Sequence, residues 1–400
     1  MLLTVKDKKR IEVIVAVLDG RIEVEGAGKV LERSVRQVYR MMTVFREDGV
    51  GGLIHKNRGK ESLRKLKEPI REKIRALAQG KYRDVNDTHL RELLVEKEGI
   101  KVGRETLRGI LRTSGIPPKR KRRRVKYRKR RERKDAFGEM LQIDASPHDW
   151  LEGRGPWLTL VGTIDDATGY AWGRFAPAET TWAYLNLMRK VSSSHGLPLS
   201  LYSDRHSIFH ALREPTIVEQ LKNIQPLTQF GRAMEELGIT PLKAWSPQAK
   251  GRIERFFGIL QDRLVVELRL SGATTMKEAN QVLDKFLRDY NQRFSCAPKV
   301  QGSVFRKAPP SYQLDRILCL KETRLVNKDH TISFEGLVLQ IPPSKKFHSI
   351  VKQQVDVLQL KDGSVEIVYK QKVVARFSPE AISRLIRNRK NHQSQLKTVA

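Results

Sequence analysis

Residues 142–169 read QIDASPHDWLEGRGPWLTLVGTIDDATG, and this stretch decides the fold class of the chain. QIDAS and WLTLVGTID have the composition of β-strands, and the glycines, the proline and the DDATG sequence between and after them are turn signals. YAWGRFA follows as a third strand, and helical patterns then alternate with two further strands, in PLSLYSD and ITPLKAW. A meander of three strands followed by alternating helices and strands predicts a mixed α/β sheet with helices on its faces.

Charge is distributed unevenly along the 400-residue chain. The formal net charge is +32, of which +22 lies in residues 1–134, where 40 Lys and Arg stand against 18 Asp and Glu. Hydrophobic residues make up 39% of the sequence, enough for packed cores, so the excess charge has to lie on surfaces or linkers. The length suggests roughly two to four domains. The charge predicts a polyanionic partner, most simply nucleic acid.

Two units in the basic N-terminal third have the pattern of a helix-turn-helix. Residues 1–58 contain three helical blocks, the last of which is VRQVYRMMTVFRE with Ser34 as its predicted N-cap. Residues 59–118 repeat the pattern and are predicted to be a second, winged-helix-like unit. Together they predict tandem modules that read DNA, although a plain helical bundle is the alternative. The predicted DNA contacts on the two recognition helices are Arg36, Gln37 and Arg40 in the first unit and Arg104 and Arg108 in the second.

A basic linker is predicted at residues 119–136. Lys or Arg occupies 13 of residues 119–134, and such a run repels itself and cannot pack into a core. We expect it to follow DNA phosphates, which would make binding weaken steeply with salt. The linker residues predicted to contact DNA are Lys121, Arg122, Arg123 and Arg124.

The rest of the chain is predicted to hold an α/β core at 137–300, a small antiparallel β-barrel or sandwich at 311–380 and a basic tail at 381–400. The two cysteines, Cys296 and Cys319, lack the spacing of a zinc site and indicate a reducing compartment. The sequence has neither a signal peptide pattern nor a long apolar run, so we expect a cytoplasmic protein with no membrane partner.

Three acids of the predicted core stand at strand ends or on a neighbouring helix. Asp144 lies in the apolar strand QIDAS, Asp204 ends PLSLYSD, and Glu254 borders the apolar face of the helix in QAKGRIERFFGILQDRL. Gly251 and Gly258 lie one turn before and after Glu254 and leave space beside it. Three carboxylates at one sheet edge would repel one another unless divalent cations lay between them. Ordinary salt bridges are the alternative reading of the same acids.

The stretches QIDASPHDWLEGRGPWLTLVGTIDDATG, LYSDRHSIF and SPQAKGRIERFFGILQDRL resemble the DDE transposase and retroviral integrase superfamily, and within it the ISNCY-type insertion-sequence transposases of bacteria. The resemblance implies N-terminal all-α helix-turn-helix units, a central RNase H-like core and a small C-terminal β-barrel. It implies that Asp144, Asp204 and Glu254 are catalytic residues that bind two Mg²⁺ or Mn²⁺ ions.

The same resemblance implies an activity and its partners. The enzyme would bind double-stranded DNA at the terminal inverted repeats of an insertion sequence, cleave strands there and join them to target DNA. Because two ends must be held together, a homo-oligomer on DNA is expected. The implied location is the bacterial cytoplasm, in association with the nucleoid.

The chain departs from the integrase pattern at several positions. The 49 residues between Asp204 and Glu254 exceed the spacing found in integrases, which implies an insertion. Gln261 stands where integrases often place a DNA-contacting lysine, so Lys250 or Arg263 is expected to supply that cation. The residues predicted to grip phosphates around Glu254 are Lys250, Arg252 and Arg255.

Other polar residues near the acids have weaker claims. His148 and His206 are further candidates for contacts in the active site or with DNA. Asp165 and Asp166 belong to the DDATG turn, where acids usually accept backbone hydrogen bonds, so a structural role is expected for them. Two rival functions remain open at this stage: a catalytically inactive DNA-binding regulator, and an RNase H-like nuclease that selects its substrate by structure.

Overall fold

A computed structural model of the chain describes residues 3–55, 57–58, 66–119, 131–211, 213–221, 225–243, 250–343 and 349–387. The chain divides into two compact units, Met1–Ile74 and Arg75–Ala400. The predicted DNA contacts at 121–124 and most of the predicted tail at 381–400 lie outside the described residues. Within the described part of the chain, no helix combines the length and the apolar character needed to cross a membrane.

The first unit contains the helices α1 (Val5–Leu18), α2 (Val24–Leu31) and α3 (Val35–Gly52). The predicted cap is present, because the Ser34 hydroxyl accepts a hydrogen bond from the backbone N–H of Gln37 at 3.3 Å. The turn between α2 and α3 is tight: a Cβ on Gly28 would lie 2.9 Å from the carbonyl oxygen of Arg33. The helices enclose a core of Val13, Ile14, Val17, Ala27, Val38 and Leu53.

Three more helices follow, namely α4 (Glu68–Gln79), α5 (Asp87–Glu98) and α6 (Arg104–Thr113). The Asn86 side chain caps α5 by accepting a hydrogen bond from the His89 N–H at 2.9 Å. Helices α5 and α6 pack together through buried leucines. No strand occurs within residues 66–119, so no wing accompanies these helices there. The limits of the domains, and the role of this helical unit in reading DNA, stay predictions.

The central sheet has the mixed topology expected from residues 142–169. Its strands are β1 (Met140–His148), β2 (Leu158–Asp165), β3 (Ala171–Ala176), β4 (Ser200–Ser203) and β5 (Thr240–Lys243). They lie in the order β3-β2-β1-β4-β5, with antiparallel pairs in the meander and parallel pairs between β1, β4 and β5. Every residue of β2 is buried, because helices cover both faces.

Four helices form the two covering layers, namely α7 (Thr181–Ser194), α9 (Gln229–Glu236), α10 (Gly251–Leu270) and α11 (Met276–Phe294). The short helix α8 (Ile217–Leu221) exposes Ile217 and Leu221 to solvent. Helices α7 and α9 pack in one apolar cluster, and α10 and α11 pack in another with the opposite side chains of the meander. The prediction of helices on both faces of the sheet is therefore confirmed.

The C-terminal region differs from the predicted closed barrel. After α12 (Ser311–Ile317), the strands β6 (Leu320–Leu325), β9 (Gln354–Gln359), β10 (Val365–Tyr369) and β11 (Lys372–Phe377) form an antiparallel sheet in the order β11-β10-β9-β6. The hairpin of β7 (Thr331–Phe334) and β8 (Leu337–Gln340) stands apart but shares its core. Because β6 and β11 lie at opposite edges and do not pair within the described residues, the sheet stays open.

Candidate active site

Asp144 and Asp204 come together at neighbouring strands of the central sheet. Strands β1 and β4 are parallel, with Gln142 opposite Tyr202, and the same register continued by two residues places Asp144 beside Asp204. The Lys250 ammonium lies 3.0 Å from the Asp144 carboxylate and 3.4 Å from that of Asp204. The two acids thus share one cation. Burial raises the pKa of the Asp144 carboxyl, although Lys250 acts in the opposite direction.

Two amide side chains fix helix α10 against strand β1 on either side of Asp144. At one end, Gln142 accepts a hydrogen bond from the Ile253 N–H at 3.3 Å. At the other end, Gln261 donates to the Ser146 hydroxyl at 3.0 Å. Residues 142, 144 and 146 share one face of β1, the face that α10 covers, because side chains alternate along a strand. Gln261 was expected only to replace a DNA-contacting lysine, and its bond to Ser146 could not be predicted from the sequence.

Helix α10 approaches the sheet closely because β2 offers a glycine opposite Asp144. Gly162 pairs with Asp144 in the antiparallel ladder. A Cβ at Gly162 would lie 2.9 Å from the Phe256 ring and 3.1 Å from the Phe257 ring. Any larger residue would push α10 away from the strand that carries Asp144.

Glu254 lies on the first turns of α10, and its side chain is exposed. The space expected beside it is present, since a Cβ at Gly251 or Gly258 would meet no atom within 4 Å. Glu254 does not join the two aspartates in this arrangement: among the described residues, no three Asp, Glu, His or Cys side chains cluster closely enough to hold a metal ion.

The cations predicted around Glu254 have different environments. Lys250 is only 6% exposed and lies between the two aspartates rather than on an open rim. Arg252 is half-buried and pairs with the fully buried Asp166 at 2.8 Å, so its guanidinium supports the core. Arg255 is exposed, as expected for a phosphate contact.

Asp165 and Asp166 have the surroundings of structural acids. Asp165 accepts hydrogen bonds from the N–H groups of Gly138 and Thr168, and Asp166 accepts from Gln142 as well as pairing with Arg252. The two predicted histidines have different contacts. His148 packs edge-on against the Trp150 ring, and the exposed His206 donates its backbone N–H to Asp204 at 3.1 Å.

The predicted DNA contacts are exposed on both recognition helices, but those on α6 are paired with an acid. Arg36, Gln37 and Arg40 are all exposed on α3, and the groove beside Gln37 and Arg40 has a volume of about 1230 Å³. Arg104 and Arg108 are also exposed, but both contact Glu105, at 3.3 Å and 2.9 Å respectively. Helix α3 is therefore the more accessible surface for a polyanion, because Arg104 and Arg108 on α6 are paired with Glu105.

Helix α5 makes polar contacts with helix α10 that the sequence did not predict. Arg263, one of the two residues considered for the DNA-contacting cation, pairs with Glu92 at 2.5 Å. Glu267 accepts hydrogen bonds from Lys97 at 3.0 Å and from the His89 ring at 3.3 Å. The partners are far apart in sequence, so no local pattern could have revealed them.

Two proteins with transposase names align over most of the chain. The y4bF protein of Sinorhizobium fredii (strain NBRC 101917 / NGR234) is 36% identical over 369 residues, which is 91% of this chain and 79% of that protein. The transposase for insertion sequence IS1202 of Streptococcus pneumoniae is 30% identical over 409 residues, 92% of this chain and 85% of that protein. The chain belongs to the transposase family.

The transposase is thus an enzyme of DNA transposition, and neither an inactive regulator nor a structure-selective nuclease is favoured. No family model matches its sequence. Among solved structures, the catalytic core domain of BIV integrase matches 39% of the transposase and 85% of its own chain, at 19% identity and a TM-score of 0.28. The HTLV-2 integrase core in complex with magnesium (dimeric form) matches 40% and 89%, at 18% identity and a TM-score of 0.29.

Proposed function

We propose that this transposase cleaves DNA at the ends of its insertion sequence and joins the freed strands to target DNA, with Asp144, Asp204 and Glu254 as the catalytic acids. The observation that supports this most strongly is the position of Asp144 and Asp204 at adjacent parallel strands, where both carboxylates pair with the Lys250 ammonium. The transposase names of two relatives that span the chain support the same activity.

The residues at this edge suit a divalent metal ion. The Lys250 ammonium shows that a positive charge fits between the two carboxylates. Carboxylate oxygens are the ligands that Mg²⁺ and Mn²⁺ prefer. Glu254 would complete the set by turning its exposed side chain toward the pair. Two bound ions would activate the attacking oxygen and stabilise the leaving oxygen of a phosphodiester.

The transposase's own residues would position these groups. Gln142 and Gln261 hold α10 in register with β1, so that Glu254 keeps a fixed height relative to Asp144. The exposed Arg255 would contact a DNA phosphate next to the scissile bond. Water would attack in the cleavage step and a DNA 3′-hydroxyl in the joining step, so no protein nucleophile is needed.

Recognition of the terminal inverted repeats is proposed for α3, with help from α6 and the basic segment at 121–124. Arg36, Gln37 and Arg40 share the exposed face of a capped helix, the arrangement that reads base edges in the major groove. Because two ends of an element must be joined to one target, the working form is proposed to be a homo-oligomer on chromosomal DNA.

The test is cleavage and strand transfer of a duplex that carries the element's end, in Mg²⁺, by the variants Asp144→Asn, Asp204→Asn and Glu254→Gln. Each is expected to lose both activities while repeat binding in a mobility-shift assay is retained. Asp289→Asn, an exposed acid on α11, is the matched control and should cleave normally. Normal cleavage by any of the three active-site variants would refute its assignment. Cleavage without joining, and without need for the repeat sequence, would instead indicate a structure-selective nuclease.

A further inference from the structure

Lys250 occupies an unusual position for a lysine. It is 6% exposed, and its ammonium makes ion pairs with both Asp144 and Asp204. Lysines are almost never buried to this degree unless they are paired, since removing an ammonium from water is costly. The residue also forms the N-cap of α10, the helix that carries Glu254.

We propose that Lys250 is an internal counter-cation that competes with the divalent metal ions for the two aspartates. This inference rests on the proposed function, because it takes Asp144 and Asp204 to be metal ligands. Two adjacent carboxylates repel each other when no cation lies between them. The ammonium relieves that repulsion in the metal-free protein, but it bonds to the same oxygens that a metal ion needs.

The side chain has the means to withdraw. Lysine carries its charge on a flexible four-carbon stem and makes no fixed planar fork, unlike arginine. The nearby Arg252 pairs with Asp166 and Arg255 is exposed, whereas the Lys250 ammonium pairs with both Asp144 and Asp204. A metal ion that displaces the ammonium would free it for a DNA phosphate.

Metal binding and DNA binding would therefore favour the same withdrawn position of Lys250. Because coupling between two ligands is reciprocal, Mg²⁺ would strengthen DNA binding and DNA would strengthen Mg²⁺ binding through this one side chain. The same residue would thus protect the acids in the free enzyme and contact DNA in the loaded one.

The first experiment measures Mn²⁺ binding to the DNA-free protein by calorimetry for wild type and Lys250→Met. The variant keeps the length of the side chain and removes its charge, and its dissociation constant for Mn²⁺ should fall on the order of tenfold. Lys285→Met makes the same substitution at an exposed position of α11 and should leave the constant unchanged. An unchanged or weaker affinity in Lys250→Met, or an equal gain in both variants, overturns the proposal.

The two hypotheses fail in distinguishable ways. If Asp144→Asn abolishes Mn²⁺ binding but Lys250→Met leaves it unchanged, the metal site stands and the competition does not. If Asp144→Asn binds Mn²⁺ as wild type does, the aspartate is not a ligand and both are wrong.

The second experiment uses the wild-type protein and does not depend on a variant that folds. Acetylation of lysines, read by mass spectrometry, should be slow at Lys250 without metal and rise several-fold when Mg²⁺ is added. The exposed Lys277 is the internal control and should be acetylated equally in both samples. NaCl at equal ionic strength controls for screening of the ion pairs. Unchanged labelling of Lys250 with saturating Mg²⁺ overturns the proposal.

Discussion

At the scale of single residues, the hydrogen bond from Gln261 to Ser146 connects the helix that carries Glu254 to the strand that carries Asp144. Neither residue can act on the substrate as an acid or a base. Their contact sets the relative height of Glu254 and Asp144, two of the proposed catalytic acids, and metal sites depend on support of this kind. The bond to Ser146 therefore accounts for a glutamine at position 261, where integrases often have a lysine.

Gln261→Leu is expected to slow Mg²⁺-dependent cleavage by about 10- to 100-fold, because losing an outer contact loosens a metal site by that order. Repeat binding should be unaffected, and the loss should appear in kcat rather than KM. Ser146→Ala should give a similar loss, and the double variant little more, since both remove one contact. Gln281→Leu, at an exposed glutamine of α11, is the control. Additive losses would show that the two residues act independently.

At the scale of elements, the close packing of α10 on β2 depends on the absence of a side chain at Gly162. Gly162→Ala is expected to lower the free energy of unfolding by about 1–3 kcal/mol, because the new methyl group would overlap the Phe256 ring and α10 would have to shift. Cleavage should fall with it, since Glu254 moves with α10. Urea denaturation measures the first effect.

Gly258→Ala is the matched control, because Gly258 lies on α10, the helix that packs on Gly162. A Cβ there meets no atom within 4 Å, and α10 is helical at this position, so the change should stabilise the protein by about 0.5–1 kcal/mol. If both glycine variants lost stability equally, helix packing at Gly162 would not be the cause.

The contact between α5 and α10 predicts a dependence of stability on pH. Burial raises the pKa of Glu267, but the hydrogen bonds from His89 and Lys97 outweigh it and hold the pKa below its ordinary value of 4.5. A carboxyl with a lowered folded-state pKa stabilises the fold above its ordinary pKa, and that stabilisation is lost as the pH falls through the folded-state pKa.

Glu267→Gln should therefore lower the melting temperature near neutral pH, by an amount that corresponds to about 1 kcal/mol. The difference from wild type should shrink as the pH falls below 4.5 and through the lowered folded-state pKa, where the wild-type carboxyl becomes protonated. Glu235→Gln, at an exposed position of α9, should show no such trend. A difference that is constant from pH 3 to 7 would mean that the charge of Glu267 does not contribute.

At the scale of the whole molecule, sequence-specific and nonspecific contacts with DNA should separate in their response to salt. Alanine at all four of positions 121–124 is expected to reduce the slope of log Kobs against log salt concentration by up to about 3–4, because each cation releases about one counterion from DNA. Gln37→Ala should leave the slope unchanged and reduce the preference for repeat over random DNA. Equal effects of the two changes on the salt slope would contradict this division.

Local patterns in the sequence were enough to predict much of this molecule. The meander of β1 to β3 follows from apolar runs between turn signals, and the cap of α3 at Ser34 follows from one hydroxyl before an amphipathic helix. The candidates Asp144 and Asp204 could be chosen because one lies in a predicted apolar strand and the other ends a predicted strand, and the family resemblance pointed to the same two acids. These features depend on residues close together in the chain, where propensity and hydrogen bonding act directly.

Tertiary structure alone decided the remaining features. The C-terminal strands have the alternation of a barrel, yet β6 and β11 lie at opposite edges of an open sheet, because the order of strands depends on long-range pairing that no strand pattern encodes. The burial of Lys250 between two aspartates, and the bond of Gln261 to Ser146, join residues that the chain separates by 46 to 115 positions. Sequence determined the elements and the acids that they carry, because those depend on local chemistry. Only the fold decided which cation meets those acids, because that depends on how distant elements pack.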